Sequence, residues 1–131
     1  MLAAKVNTAG KFDWVRKMPK RQSGGNGRGT MSFKLVSDAS GYYVLYLDNL
    51  KNMDITEDQV PKAHLDGFGG QVVVTKLDKA GVLSKELLFN TRKEEMMIFP
   101  ADFDRINGNQ FIGRARLKKK NMFKPLIITV N

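Results

Sequence analysis

The chain has 131 residues, 42% of them hydrophobic, no cysteine, and 22 lysines and arginines against 13 aspartates and glutamates, a formal charge of +9. That length and apolar content suit one packed unit and exclude wholesale disorder. Without cysteine there are no disulfides, no thiol nucleophile and no cysteine-ligated zinc. No run approaches the roughly 18–20 apolar residues of a membrane helix, and the first five residues lack the apolar stretch of a signal peptide. The basic balance favours contact with polyanions, although a solvated basic surface is the plainer reading.

In chain order, residues 4–12 read as a hairpin around Asn7-Thr8-Ala9-Gly10. An Asx three positions before a glycine suits a type I turn whose fourth residue is left-handed. Residues 12–18 continue as a strand. Residues 19–30 are basic and glycine-rich, and Gly25-Asn26-Gly27-Arg28-Gly29 superficially resembles a phosphate loop. Phosphate binding there would need a helix to follow, and residues 31–36 carry a strand pattern instead.

Gly41 then opens the run 42–47, apolar on both alternating faces, which predicts a strand covered on both sides. Its tyrosines are not spaced like the aromatics of an RNA-stacking strand, so core packing is the better account. Residues 49–70 form a long connection with four acids (Asp54, Glu57, Asp58, Asp66) against two lysines (Lys51, Lys62), ending in Gly67-Phe68-Gly69-Gly70. It also holds the single histidine, His64. Such a loop either recognises a partner, with His64 and Phe68 as its candidate residues, or lies against its own basic body. Thr56 is a capping residue, but Pro61 stops any helix within a turn.

Residues 72–77 and 82–89 frame a second hairpin around Asp78-Lys79-Ala80-Gly81, whose glycine lies 71 positions after Gly10. Residues 96–99 form another short strand. Residues 102–108 have a calcium-loop flavour that fails, because Ile106 and Gly113 would stand at ligand positions. Asn107-Gly108 instead predicts a tight turn into residues 111–118, with Phe111, Ala115 and Leu117 inward and Arg114, Arg116 and Lys118 in water. Residues 126–131 look like the start of a third copy.

These signals predict one all-β unit over residues 1–131, of about eight strands in antiparallel hairpin repeats near 4–48 and 72–117. Repeats of this kind bury their faces by stacking, which suits propeller-like blades; a closed β-barrel or a β-sandwich is the alternative. A piece of a propeller would have open edges and would self-associate.

Catalytic chemistry is not indicated. His64 has no second histidine for a metal and no nucleophile-elbow motif for a triad, so a surface histidine is expected. Glu94 and Glu95 sit in a charged turn where solvation explains them. The chain reads as a non-enzyme with no metal or cofactor site. Basic residues gather at Lys17, Lys20, Arg21 and Arg28, near Trp14, and again at Arg114, Arg116, Lys118, Lys119, Lys120 and Lys124. Together they would make a polyanion groove with an aromatic platform.

Residues 10–22, with Gly10-Lys11-Phe12-Asp13-Trp14, residues 46–52, with Tyr46-Leu47-Asp48-Asn49, and residues 66–70 together resemble the C-terminal β-propeller-like repeat region of large Bacteroidota-type cell-envelope proteins. The resemblance implies an extracytoplasmic setting, in the periplasm or at the cell surface. It also implies a fragment of a longer repeat protein and a non-enzymatic interaction or structural role with a protein or polysaccharide partner. It assigns no site residue. The competing expectation is a basic nucleic-acid- or polyanion-binding domain.

Overall fold

The computed structural model describes residues 1–23, 32–65, 70–107, 109–117, 119 and 122–130. Among them the chain is all-β. In order come β1 (Leu2–Val6), β2 (Phe12–Lys17), β3 (Phe33–Asp38), β4 (Gly41–Asp48), β5 (Gln71–Asp78), β6 (Leu83–Asn90), β7 (Met96–Ile98), β8 (Asp104–Asn107), β9 (Gln110–Leu117) and β10 (Met122–Thr129). Two short 3-10 turns, Leu50–Asn52 and Pro100–Asp102, are the only helical elements described.

Every strand pairing described is antiparallel, and one isolated bridge, Gln22–His64, is parallel. β1 and β2 form a two-stranded ribbon. β3, β4, β5 and β6 form a first sheet in that order, and β9 centres a second, flanked on one side by β10 and on the other by β7 and β8. Among the described residues no sheet closes on itself, so the barrel alternative falls.

The alternating side chains of β4 explain the layering. Leu45 and Leu47 face the second sheet and pack with Val72, Val74, Ile98, Phe103, Phe111, Ala115, Ile128 and Val130. Val44 and Tyr46 face the other way and pack with Val73 and Met18, with Met1, Ala3 and Leu83 against them. The first sheet is therefore the middle of three layers, with the ribbon in front and the second sheet behind. That double burial is what the two-sided apolar run of 42–47 predicted, and it accounts for a strand with no polar face.

The layers are tied by charge as well as packing. Arg105 of β8 pairs with Asp38 at 3.1 Å and donates to the Ser37 carbonyl at 2.6 Å. Lys34 pairs with Asp104 at 2.5 Å.

Both Asx turns form as expected. Asn7 Oδ1 accepts from the amides of Ala9 and Lys11, and Asp78 Oδ1 from those of Ala80 and Val82. Gly10 and Gly81 have φ of +76° and +86°, a conformation that glycine adopts without steric cost. The hairpins themselves are not placed alike, because one is the free ribbon and the other is half of a four-stranded sheet. The 71-residue repetition is thus one of turns and not of sheet position.

Two further expectations are corrected. The run at 126–131 is no third copy: its strand starts at Met122 and runs back along β9 in register from Met122–Leu117 to Thr129–Gln110. β8, read in the sequence as turn chemistry, is a true strand on β9.

Candidate functional site

The ribbon does not cover the whole front face of the first sheet. Between the ribbon and the first sheet, opening toward the outer strand β3, runs a groove of about 360 Å3, lined by residues 1–4, Trp14 and Met18 on the ribbon side and by Phe33, Leu35, Tyr42, Val44 and Leu77 on the sheet side. Parity of the register builds it. Phe33–Tyr46, Leu35–Val44 and Tyr42–Leu77 are cross-strand pairs, so their side chains all stand on the front face. Where the ribbon ends, Phe33, Leu35 and Tyr42 remain open, Leu35 at 53% and Phe33 at 46% exposed, while Val44, Tyr46 and Leu77 are buried.

The ribbon is pinned by Trp14, itself a groove residue, and by Arg16. Trp14 Nε1 donates to the Lys79 carbonyl at 3.1 Å and Arg16 Nε to the Gly81 carbonyl at 2.6 Å. Trp14 is therefore a structural anchor on the second turn and not a free aromatic platform. On its outer face the ribbon exposes Leu2, Val6, Phe12 and Val15, with Leu2 at 71% and Phe12 at 68%. A second uncovered apolar face lies on the back of the second sheet, where Ile112, Phe123 and Ile127 are exposed.

The long loop is held down rather than presented. Asn52, fully buried, donates to Asp48 Oδ1 at 2.7 Å and to the Lys62 carbonyl at 2.8 Å, and its own Oδ1 accepts from the Lys62 amide. Lys85 donates to the Asn52 carbonyl at 2.5 Å. Glu57 accepts from the Lys17 amide at 3.0 Å. The described part of the loop thus makes contacts with the body of the chain through Asn52 and Glu57.

His64 is corrected with it. It is 5% exposed, not a surface residue, and its backbone bridges to Arg21 and Ser23. Its ring lies against Gly70 and leaves no room there for a Cβ. Burial pushes the His64 imidazole below its ordinary value, while the Asp48 carboxylate pulls it back up and Arg92 and Lys20 push it down. Burial likewise raises Asp48, against the lowering effect of Asn52, the Asn49 amide, Lys85 and His64. Among the described residues, Asp48 Oδ2 and His64 Nε2 are buried without a hydrogen-bond partner. The other candidate of this loop, Phe68, lies outside the described residues.

The basic candidates do not converge. Lys17 closes β2, and Arg21 is exposed after it. Lys20 is half-buried, its ammonium 5.6 Å from the centre of the Phe33 ring and 5.3 Å from that of Tyr46, and it donates to Gln22 at 2.5 Å. Burial lowers its pKa, with Asp48 acting against that. Arg114 and Arg116 stand on the back of the second sheet, two layers away. There Arg114 pairs with Asp102 at 3.0 Å and lies 5.3 Å from the centre of the Phe123 ring, while Lys119 pairs with Glu95 at 2.5 Å. Arg28, Lys118 and Lys120 lie outside the described residues. The single polyanion groove expected from the two clusters is therefore not formed by the residues described.

The groove itself was not legible in the sequence. Residues 31–36 read only as a strand and Tyr42 as a core position, and only the placement of a covering ribbon decides which of these side chains stay open. No family model, curated protein or solved structure matches this chain.

Proposed function

We propose that this chain is a non-enzymatic interaction or structural module of the bacterial cell envelope, built from propeller-blade-like antiparallel sheets and working outside the cytoplasm. The observation that carries the reading is the apolar groove between β1 and β3, continuous with the exposed apolar face of the ribbon. Apolar surface that stays uncovered on a folded chain is a common mark of a docking face. The groove offers shape and apolar contact rather than convergent charge, which favours a protein partner over a polyanion. The apolar face on the second sheet supports a module that packs against neighbours in a larger assembly.

Titration with heparin and with single-stranded DNA across salt tests this. The module reading expects negligible binding near about 0.15 M salt, where surface charges are screened beyond ~8 Å. Tight binding that falls steeply with salt, and is lost when Lys118, Lys119 and Lys120 are replaced by glutamate, would establish the polyanion-binding domain instead.

A further inference from the structure

The ribbon's hydrogen bonding determines what the groove accepts. Met1 and Met18 exchange both backbone bonds, Met18 N to Met1 O at 2.8 Å and Met1 N to Met18 O at 3.0 Å. In an antiparallel ladder such pairs alternate with pairs whose N–H and C=O groups point away from the partner. With Leu2 opposite Lys17, Ala3 opposite Arg16 and Ala4 opposite Val15, Ala3 bonds inward, and Leu2 and Ala4 turn their backbone groups outward. The Lys17 amide confirms the phase on the other edge, since it points away from β1 to Glu57 at 3.0 Å. Among the described residues β1 pairs with β2 alone. Leu2 and Ala4 line the groove together with Leu35, Tyr42 and Val44.

We propose that the groove between β1 and β3 takes one extended polypeptide strand, with apolar residues at alternate positions and polar residues between them, which pairs with the outer edge of β1. This rests on the module reading above and names its partner. Main-chain groups repeating every second residue are matched by another extended backbone, and strand addition to an open edge is a general mode of peptide recognition. The apolar floor selects the inward side chains. The intervening side chains point to the opposite side, toward solvent, where polar residues fit. A two-stranded ribbon is marginal by itself, so a third strand also stabilises it.

The test uses the whole chain and a capped nonapeptide of alternating valine and glutamate, with a control of the same composition arranged in blocks. Amide hydrogen exchange is followed by NMR. The alternating peptide is expected to slow exchange at Leu2 and Ala4 at least tenfold and to leave Ala3 unchanged. Ala4→Pro removes only an outward donor, and Leu35→Arg changes a half-exposed wall residue. Each is expected to weaken binding at least tenfold while keeping the parent's circular dichroism.

No protection at Leu2 and Ala4, equal protection by the block peptide, or unchanged binding by both variants overturns the proposal. Protection without peptide that vanishes on dilution also overturns it, in favour of a second copy as occupant. If the peptide fails while heparin and DNA still do not bind, only this inference is lost; salt-steep heparin binding would remove the module reading itself.

Discussion

The indole of Trp14 closes over Gly81. A Cβ on that glycine would stand 2.7 Å from Trp14 Cγ, whereas a Cβ on Gly10 would meet nothing within 4 Å. The two turns share their Asx hydrogen bonds and their positive φ and differ in what covers them. The anchor that joins ribbon to sheet is therefore built on one member of the repeated pair.

Substitution separates the two roles. Gly10→Ala is expected to cost about 1 kcal/mol, the strain of an L side chain at positive φ. Gly81→Ala carries the same strain plus the clash with Trp14, about 2 kcal/mol more by the usual cost of overpacking. In thermal unfolding that is a drop of about 4 °C per kcal/mol for a chain of this size. Adding Trp14→Ala to Gly81→Ala should recover most of the extra loss relative to Trp14→Ala alone. Equal costs at the two glycines would show that Trp14 does not rest on the turn.

The second sheet has a similar contact. Phe103, fully buried, lies so close to Gly113 that an added Cβ would stand 2.5 Å from its ring. Gly113→Ala is expected to destabilise by about 1–3 kcal/mol, and Phe103→Ala by about 3–5 kcal/mol from the cavity it leaves. The double variant should cost less than the two added together, as denaturant midpoints will show, because the methyl group enters the space that the ring vacates.

Tyr46 is buried in the middle layer, with its hydroxyl 2.9 Å from Thr75 Oγ1. Burial pushes its pKa up to about 12. Tyr46→Phe leaves the Thr75 hydroxyl buried without this partner and should cost about 1–2 kcal/mol. Tyr46→Phe with Thr75→Val should be closer to the parent in chemical unfolding than the single variant, since both polar ends are gone. An alkaline ultraviolet titration should show one tyrosine ionising only near pH 12, absent from Tyr46→Phe.

The pH dependence of stability follows from His64. Its folded pKa lies below the ordinary 6.5, so the unfolded chain binds the proton more tightly. The stability that depends on a neutral imidazole is complete above pH 6.5 and is lost as pH falls through that value toward the folded pKa. Asp48, raised by burial, acts with the opposite sign from about pH 3.8 upward. The expected result is therefore a difference: urea unfolding between pH 7 and 5 falls less steeply for His64→Gln than for the parent. Parallel profiles would mean that the ring keeps its solvation.

The amino-acid pattern by itself determined most of the strands and the two Asx turns, because these depend on near neighbours. Asn7 and Asp78 each bond their own turn amides, and the two-sided apolar run of β4 requires cover on both faces wherever it is placed. β8 escaped, since Asp104-Arg105-Ile106-Asn107 has too little apolar content to mark a strand. Its pairing comes from β9, and its arginine is held by Asp38 of another sheet. Only the tertiary structure decided that the two similar hairpins occupy different layers, that His64 is buried, and that Leu35 and Tyr42 stay open beside β1. Each of these outcomes depends on contacts between residues far apart in the chain, and side-chain alternation shows which faces are apolar but not which of them another layer will cover.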